Sequence, residues 1–334
     1  MAPPVEVLVV LVNYRSAALT LRALDSLASE RARPELSIRA VVVENASGDE
    51  GALQAGIAER FSDFASLVVS PINGGFGAGN NLGVRTAMEA GSRARYIHLL
   101  NPDTEARPSA LLSLVRFFES HPKAGIAGGS FEQADGSLWN MAFRFPSAAS
   151  ELEAACHLSI VSKLLKRRSV ARTMGDQPEQ VDWQSGASIM LRREVFETVG
   201  GFDEAFFLYF EETDLCVRAK AAGWECWYVP DSRVMHICGA STGVTAHHEQ
   251  PRRLPRYWFE SRRRFFVKHH GYAYAAFVDA ATVLGHAIGT VKDFVKREPR
   301  VPHLVRDLVS ESVLLPANRK PLEPARCYVL PTRG

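Results

Sequence analysis

Short apolar runs alternate with amphipathic segments through the first third of the chain, and this alternation restricts the fold more than any other feature. Residues 5–12 and 38–43 are continuously apolar, as are strands buried on both faces of a parallel sheet. Residues 17–30 carry leucines and alanines at helical spacing. Further strands are predicted at 67–69 and 96–100, and further helices at 50–61, from a glycine-rich loop to Gly91, and at 107–120. Repeated strand–helix units predict a parallel sheet with helices on both faces.

Polar clusters follow four of these strands. They are Asn13, Glu44-Asn45, the loop at residues 73–81, and residues 101–103. Ligands of such sheets bind at the carboxyl ends of the strands. We therefore expect the four clusters to meet in one crevice.

The composition is that of an ordinary globular protein. The chain has 334 residues, 46% hydrophobic and 23% charged, which excludes disordered and fibrous classes and allows roughly two domains. The pattern changes after Gly128, where a turn at Asp135-Gly136 predicts a hairpin. Later segments predict a helix at 211–223, a strand at 226–229 that ends at Pro230, and a basic, partly helical tail. We expect three parts, at residues 1–128, 129–245 and 246–334.

Charge and cysteine content exclude several classes. The basic residues form a local patch on a chain of net charge +2, and no recognition motif accompanies this patch, which argues against nucleic acid as a partner. The five cysteines form no CxxC pair, so neither a zinc cluster nor a disulfide framework is indicated, and a reducing compartment is the simpler interpretation. The N-terminus predicts a strand and not a signal peptide. No membrane-spanning helix is predicted; residues 271–291 are either a packed helix or one lying on a membrane.

The glycine-rich loop is the first candidate binding element. Four glycines, Gly74, Gly75, Gly77 and Gly79, precede a predicted helix, and small residues let backbone N–H groups approach an anion. The dinucleotide fingerprint fails because Leu82 stands where its third glycine would be, and the Walker pattern fails as well. The alternative is an ordinary flexible loop.

A possible metal site lies at Asn101-Pro102-Asp103. A carboxylate directly after a buried strand is well placed to hold Mg²⁺ or Mn²⁺ against a diphosphate. The alternative is that Asp103 or Thr104 caps the next helix. His236 becomes a second candidate ligand only if it faces Asp103; otherwise it is a satisfied buried histidine.

Three carboxylates, Glu211, Glu212 and Asp214, follow an aromatic segment at residues 207–210. A carboxylate beside an apolar wall can have its pKa tuned for general-base catalysis. The alternative is that these acids complement the dipole at a helix N-terminus.

Together, these segments resemble family 2 glycosyltransferases, the inverting enzymes of the GT-A fold, and especially bacterial enzymes that use dTDP-rhamnose. Eight matching segments occur in family order between residues 5 and 245, from Val10-Leu-Val-Asn-Tyr to the region of His236. The resemblance implies an α/β GT-A fold. It comprises a Rossmann-like mixed sheet that binds the nucleotide sugar (1–128), an acceptor-side subdomain with the catalytic base (129–245) and a helical C-terminal extension (246–334).

The resemblance also implies roles for individual residues. The nucleotide sugar would be bound by Asn13, Glu44, Asn45, Gly75, Phe76, Gly77, Asn80 and Asn101. The donor sugar and acceptor would meet Trp183, Ser185, Gly186 and Asp203. Asp103 and His236 would ligate Mg²⁺ or Mn²⁺, and Glu212 would be the base. Glu stands here where the family has Asp, so Glu211 and Asp214 remain alternatives.

The tail suggests where the acceptor lies. Residues 252–270 interleave seven Arg or Lys residues with aromatic residues, a combination that favours an anionic membrane interface. We expect a cytoplasmic protein at the inner face of the plasma membrane, with a glycan acceptor on a polyprenyl diphosphate. The alternative is a solvated charged helix whose aromatic residues pack on the body of the protein.

The implied reaction is metal-dependent, inverting sugar transfer in the synthesis of cell-envelope polysaccharide. Rhamnose is the favoured sugar; galactofuranose, glucose and N-acetylglucosamine remain open. Two other functions compete with this one, namely a sugar-nucleotide nucleotidyltransferase and a non-catalytic glycan-binding module.

Overall fold

A mixed ten-stranded sheet forms the centre of the protein in the computed structural model, which describes residues 4–133, 135–140, 142–156, 158–236, 252–296 and 301–330. The strands are β1 (Val5–Asn13), β2 (Leu36–Glu44), β3 (Ala65–Val69), β4 (Tyr96–Leu100), β5 (Thr104–Ala106), β6 (Ala124–Glu132), β7 (Leu138–Asn140), β8 (Ala142–Phe143), β9 (Glu179–Val181), β10 (Trp183–Gln184), β11 (Ser188–Arg192) and β12 (Glu225–His236). The sheet order is β3-β2-β1-β4-β11-β6-β12-β5; β7 pairs with β6, β9 pairs with β12, and β8 and β10 form a separate pair.

Eleven α-helices are described around the sheet. They are α1 (Ala17–Ser26), α2 (Ala28–Arg31), α3 (Glu50–Arg60), α4 (Gly75–Glu89), α5 (Ala110–Ser120), α6 (Ala148–Cys156), α7 (Ser159–Leu165), α8 (Arg193–Val199), α9 (Glu211–Ala221), α10 (Arg256–Lys296) and α11 (Leu304–Glu311). The helix predicted over 17–30 is divided at Leu27. α10 is kinked at Gly271, whose φ of 78° is not helical.

The predicted parallel half of the sheet is present. β1 pairs in parallel with β2 and with β4, and β2 pairs in parallel with β3. The apolar run of β1 is buried because helices cover both faces of the sheet, as continuous hydrophobicity predicts. The carboxyl ends of β1, β2 and β4 consequently lie at one edge.

The second half of the sheet is mixed. β11 runs antiparallel to both β4 and β6, whereas β12 runs parallel to β6. The predicted boundary at residues 128 and 129 falls inside β6, so one sheet passes through both of the first two predicted parts. The prediction that Pro230 ends its strand is wrong, because pairing of β12 with β6 resumes at Arg233 after an irregularity.

The predicted glycine-rich loop is mostly helix, and this is a correction. Gly77, Gly79 and Gly83 lie inside α4, where they allow the helix to approach the sheet closely. A Cβ on Gly79 would lie 2.7 Å from Cγ1 of Val12, and one on Gly83 would lie 2.6 Å from Cγ1 of Val10. These glycines are therefore required for packing of α4 on β1.

Three of the seven cations in the basic stretch at 252–270 are paired inside the protein. Buried Arg262 pairs with Glu151 and Asp279, while Arg264 and Lys268 pair with Asp203. Three aromatic side chains of the stretch, Phe259, Phe265 and Phe266, are buried. The cations of these pairs and these rings are not available to a membrane, whereas Arg253 and Arg256 remain mostly exposed, so the membrane interface predicted for this stretch stays a prediction. Among the described residues, no helix is long and apolar enough to cross a membrane.

Candidate active site

A cavity of about 350 Å³ opens at the carboxyl ends of β1, β2 and β4. Its lining residues are Val12, Tyr14, Asn45, Asn73, Gly75, Phe76, Asn101, Pro102, Phe207, Leu208 and Tyr257. The predicted crevice therefore exists, and three of the four predicted polar clusters contribute a side chain to it. Asn45 is held in place because its Nδ2 donates to Oδ1 of Asn73 at 3.0 Å and to the carbonyl of Gly75 at 3.2 Å.

Asp103 and His236 lie beside each other next to this cavity. β12 pairs with β5 so that His236 is opposite Thr104, and Nε2 of His236 is 3.4 Å from Oδ1 of Asp103. The turn before β5 is closed by Thr104, whose backbone N–H and hydroxyl both donate to the carbonyl of Asn101. Thr104 thus begins a strand, and the alternative that Asp103 or Thr104 caps the next helix is wrong.

The Asp103–His236 pair has the chemistry of a divalent-cation site. Oδ1 of Asp103 is buried and accepts no hydrogen bond from the described residues, which leaves a charged ligand oxygen available. A carboxylate and an imidazole together suit Mn²⁺. No cluster of three or more His, Cys, Asp or Glu ligands occurs in the described ranges, so the protein would contribute these two ligands there.

Glu212 reaches the same region through the segment at residues 185–187. A Cβ on Gly186 would lie 2.9 Å from Cε1 of Phe76, in the cavity wall, and 3.9 Å from Cβ of Glu212. The next residue, Ala187, accepts a hydrogen bond of 2.8 Å from the backbone N–H of Asn101. One short segment therefore connects Glu212 with the cavity and with the turn that carries Asp103.

The two glutamates at the start of α9 are protonated more readily than ordinary glutamates. Burial, the charge of Glu212 and the charge of Asp214 raise the pKa of Glu211 well above its ordinary value. Burial likewise raises the pKa of Glu212, against the effect of backbone hydrogen bonds at Glu212 and Gly186. Each side chain has a buried Oε2 with no hydrogen-bond partner among the described residues. Both can therefore accept a proton near neutral pH better than an exposed glutamate can.

Asp214, by contrast, serves in an ion-pair network. Its carboxylate contacts Nζ of Lys268 at 2.6 Å and Nε2 of His269 and Nε of Arg218 at 2.8 Å. Burial opposes ionisation, but the hydrogen bond from His269 and the charges of Arg218 and Lys268 hold the pKa of Asp214 below its ordinary value. The geometry therefore argues against Asp214 as an alternative base.

Asp203 lies away from the cavity lining and anchors the C-terminal region. It is fully buried, and its Oδ2 contacts Nη2 of Arg264 at 2.7 Å and Nζ of Lys268 at 2.9 Å. Its Oδ1 accepts hydrogen bonds from the backbone of Ala205 and Arg326. The role predicted for Asp203 on the sugar side is not supported, because its oxygens are occupied within the fold.

Asn13 and Glu44, which were predicted to contact the nucleoside, form hydrogen bonds within the protein instead. The amide of Asn13 donates to Asp49 at 2.9 Å, and its Oδ1 accepts from Thr20 at 2.7 Å. Glu44 accepts from the backbone N–H of Ser47 at 2.6 Å. Both side chains are buried, so they shape the loops after β1 and β2 and do not line the cavity.

The residues predicted from the glycine-rich segment divide into two groups. Gly75 and Phe76 line the cavity. Gly77 does not, because a Cβ there would lie 2.8 Å from Cβ of buried Phe202. Asn80 is buried and donates to the carbonyl of Phe76 at 3.0 Å, while its Oδ1 has no partner among the described residues.

The remaining predicted residues lie on the β8–β10 side. Trp183 stacks on Phe143 with ring centroids 4.2 Å apart, and its Nε1 donates to the carbonyl of Arg144 at 2.9 Å. Ser185 accepts a hydrogen bond of 3.3 Å from the backbone N–H of Ala187. Trp183 is only partly buried, so one side of its ring system remains available.

Tyr14, Phe207, Leu208 and Tyr257 line the cavity but were not predicted to do so. Tyr257 packs against Phe207 with centroids 5.2 Å apart and stacks with Tyr209 at 6.2 Å. The aromatic segment before Glu211 was a visible signal for Phe207. Tyr257 had no such signal, because it is far along the chain from the strands that form the cavity. Only the folding of α10 against residues 207–210 brings it there.

Comparisons with known proteins agree with this geometry. The sequence profile described as "Glycosyltransferase like family 2" matches residues 3–257. An N-acetylglucosaminyl-diphospho-decaprenol L-rhamnosyltransferase of Mycobacterium tuberculosis is 30% identical over 261 residues, or 72% of this chain and 81% of that protein. Rhamnosyltransferase WbbL of Escherichia coli is 29% identical over 196 residues, or 58% of this chain and 67% of that protein.

Solved structures show the same architecture. The crystal structure of GalNAc-T7 with UDP, GalNAc and Mn²⁺ aligns with a TM-score of 0.58 at 13% identity, covering 92% of this chain and 58% of that one. At this identity the likeness concerns the fold alone, and it confirms the predicted GT-A architecture. Since the family profile spans most of the chain and the two relatives described above are named as rhamnosyltransferases, this protein is an enzyme that belongs to glycosyltransferase-like family 2.

Proposed function

We propose that the protein transfers L-rhamnose from dTDP-rhamnose to a hydroxyl of a lipid-linked glycan, with inversion at the anomeric carbon. One observation carries this proposal: the Asp103–His236 pair and Glu212 are both linked to the same cavity through residues of its wall. Asp103 directly follows the lining residues Asn101 and Pro102, and Gly186 lies between the lining residue Phe76 and Glu212. A leaving diphosphate and a proton-accepting carboxylate are the two requirements of direct displacement by a hydroxyl.

The cavity suits a nucleoside diphosphate. The aromatic rings of Tyr14 and Tyr257 and the apolar wall of Val12 offer contact area for a base. Asn101 lines the cavity and its amide can hydrogen-bond a ribose or phosphate, whereas Asn45, whose Nδ2 already donates to Asn73 and Gly75, can accept from a ribose hydroxyl. α4 begins at Gly75, on the cavity wall, so the positive end of its dipole favours a diphosphate there.

Asp103 and His236 would hold Mg²⁺ or Mn²⁺. The buried Oδ1 of Asp103 and the adjacent imidazole support this assignment, as does the Mn²⁺ in the GalNAc-T7 crystal structure. When bound, the cation would neutralise charge that develops on the departing diphosphate. Buried Asp103 supplies a negative charge to balance it.

Glu212 would take the proton of the attacking hydroxyl. Burial raises the pKa of Glu212, which makes it a stronger base than an exposed glutamate, and Gly186 lies between it and Phe76 of the cavity wall. Trp183 and Ser185 adjoin this side and would contact the sugar or the acceptor. A single displacement needs no covalent intermediate with the enzyme, which is why the anomeric configuration would invert.

The acceptor is proposed from the relatives. The mycobacterial relative is named for an N-acetylglucosaminyl-diphospho-decaprenol, so a polyprenyl-diphosphate glycan is the acceptor class we propose. Such an acceptor is embedded in lipid, and its use would place the enzyme at the inner face of the plasma membrane. The glycan product would then be used in the synthesis of cell-envelope polysaccharide.

The test is an assay of purified protein with dTDP-rhamnose, Mn²⁺ and a synthetic polyprenyl-diphosphate N-acetylglucosamine. We expect release of dTDP together with one added deoxyhexose on the acceptor, and NMR of the product should show the inverted anomer. Parallel reactions with UDP-galactofuranose, UDP-glucose and UDP-N-acetylglucosamine identify the donor. With pyrophosphate added, formation of dTTP and rhamnose 1-phosphate without release of dTDP would instead indicate a nucleotidyltransferase.

A further inference from the structure

The second half of α10 has an exposed face without charge. Every exposed residue from 273 to 288 is apolar: Ala273, Phe277, Ala280, Leu284, Ala287 and Ile288. Their spacing of three or four residues aligns them along one side of the helix. Phe277 and Leu284 are 63% and 57% exposed. A helix face that meets water is ordinarily polar, so this face is built to contact something apolar.

The opposite side of the same half-helix is already used for packing. Ala275 and Val278 are buried in the cluster that contains Phe206 and Phe265. Asp279 is buried as well and pairs with Arg262. The exposed apolar residues are therefore additional to those needed to attach the helix.

α7 carries a second exposed apolar pair together with positive charge. Ile160 and Leu164, one helical turn apart, are 68% and 79% exposed. Four cations stand among or directly after them: Lys163, Lys166, Arg167 and Arg168. All four are exposed, and no carboxylate of the described part of the chain pairs with them. This contrasts with residues 252–270, where the cations are largely neutralised by partners.

The two features are linked through α6. A Cβ on Gly285 would lie 2.7 Å from Cβ of Ala155, and one on Gly289 would lie 2.5 Å from the carbonyl of Ala155. The end of α6 thus packs directly on the second half of α10, and α7 begins three residues after α6 ends. α7 therefore begins near the end of this row of exposed residues, close to Gly289.

We infer that α7 and residues 273–288 of α10 form a docking face for an anionic lipid bilayer. Exposed aliphatic and aromatic side chains would enter the headgroup boundary, while the unpaired cations meet lipid phosphates. A two-fold contact between copies uses the same patch on both partners, so it would bring the basic segments of α7 towards each other. Charge therefore favours lipid over self-association. This inference does not depend on sugar transfer.

Flotation of the full chain with vesicles tests the inference without any assay of activity. Vesicles of equal parts phosphatidylglycerol and phosphatidylcholine should carry the protein upward, whereas pure phosphatidylcholine should carry much less. Raising the salt concentration should weaken binding, because screening reduces attraction between exposed charges. Protein that remains at the bottom with the anionic vesicles would overturn the proposal.

Matched variants locate the face. Leu284→Glu should lower partition into anionic vesicles about tenfold, whereas Leu138→Glu, at a leucine of similar exposure on β7, should leave it unchanged. Replacing Lys166 or Arg167 by alanine should lower partition about fivefold each. Alanine at exposed Arg39 or Lys123 is the charge control and should have no effect. Equal losses in the control and test variants would contradict the assignment.

Light scattering after size exclusion resolves the competing occupant. We expect the same molar mass in solution for wild type and Leu284→Glu, because the face binds lipid and does not bind a second copy of the chain. A wild-type dimer that Leu284→Glu converts to monomer would show that a second copy covers the face, and the lipid proposal would then be wrong. Thermal melts of each variant confirm that the compared proteins are folded.

Discussion

Nε2 of His236 lies 3.4 Å from Oδ1 of Asp103, and both side chains are largely shielded from solvent. Pairing of β12 with β5 creates this contact by placing His236 opposite Thr104. The carboxylate oxygen concerned accepts no hydrogen bond from any described residue. Burying a carboxylate without a hydrogen-bond donor is unfavourable unless a positive group lies beside it. A bound cation would supply that positive charge.

Asp103→Asn should weaken Mn²⁺ binding and the transfer rate about 100-fold, because the neutral amide removes the negative ligand. Calorimetric titration with Mn²⁺ and initial rates across a range of Mn²⁺ concentrations measure the two effects. Asp176→Asn, at an exposed aspartate, is the control and should bind and react like wild type. An Asp103→Asn protein with unchanged Mn²⁺ affinity would exclude this residue as a ligand.

Glu212→Gln should lower kcat by about 10³-fold, since the amide cannot accept the hydroxyl proton. Glu211→Gln is the matched control on the same turn of α9, and we expect it to retain most activity. Donor binding should survive in both variants and can be measured with the nucleoside diphosphate alone. The reverse result, with activity lost in Glu211→Gln and kept in Glu212→Gln, would move the base to Glu211.

Activity should fall on the acid side at a pH above the ordinary glutamate value of 4.5, because burial raises the pKa of Glu212 and a base acts in its deprotonated form. A profile of kcat/KM against pH measures this. If the acid limb lies at or below the ordinary value, Glu212 is not tuned in this way.

The raised pKa of Glu211 should make the free energy of unfolding depend on pH. Burial and neighbouring charge raise the pKa of Glu211, so the folded state binds its proton more tightly than the unfolded state. The free energy of unfolding should therefore decrease as pH rises from the ordinary glutamate value through the raised pKa. Glu211→Gln should flatten this decrease in urea unfolding at a series of pH values. An equally steep decrease in the variant would assign the effect to other groups.

Gly75→Ala should destabilise the protein about 2 kcal/mol more than Gly91→Ala. Both glycines have left-handed φ, 84° and 87°, but a Cβ on Gly75 would lie 1.7 Å from the carbonyl oxygen of Phe207, whereas Gly91 has open space. Gly91→Ala thus reports the cost of the backbone conformation alone, about 1 kcal/mol. Urea unfolding measures the difference, and equal costs would mean that the contact with Phe207 is easily relieved.

Asp203→Asn should cost about 3–5 kcal/mol, because it leaves Arg264 and Lys268 without their shared buried partner. Asp25→Asn, which removes a solvent-exposed pair with Arg60, should cost less than about 1 kcal/mol. Urea midpoints with unchanged slopes give both values. A stable Asp203→Asn protein with weakened donor binding would restore the sugar-side role predicted from the sequence.

The order and location of the central elements follow from the sequence alone. Continuous apolar runs at residues 5–12 and 38–43 are stable only as strands covered on both faces, so the parallel half of the sheet could be predicted. Strand ends of such a sheet share an edge, so Asn45, Asn101 and Asp103 could be predicted to lie close together.

Tertiary structure alone decided which polar side chains are free for chemistry. Asp203 and Asp214 resemble site residues in the sequence, yet cations of α10 that are distant along the chain occupy both. The same pairs hold Arg264 and Lys268 inside the protein, while the cations of α7 remain exposed. Periodicity specifies the face on which a side chain lies, but charge at a site depends on partners within about 3–4 Å, and only the folded chain brings those partners together.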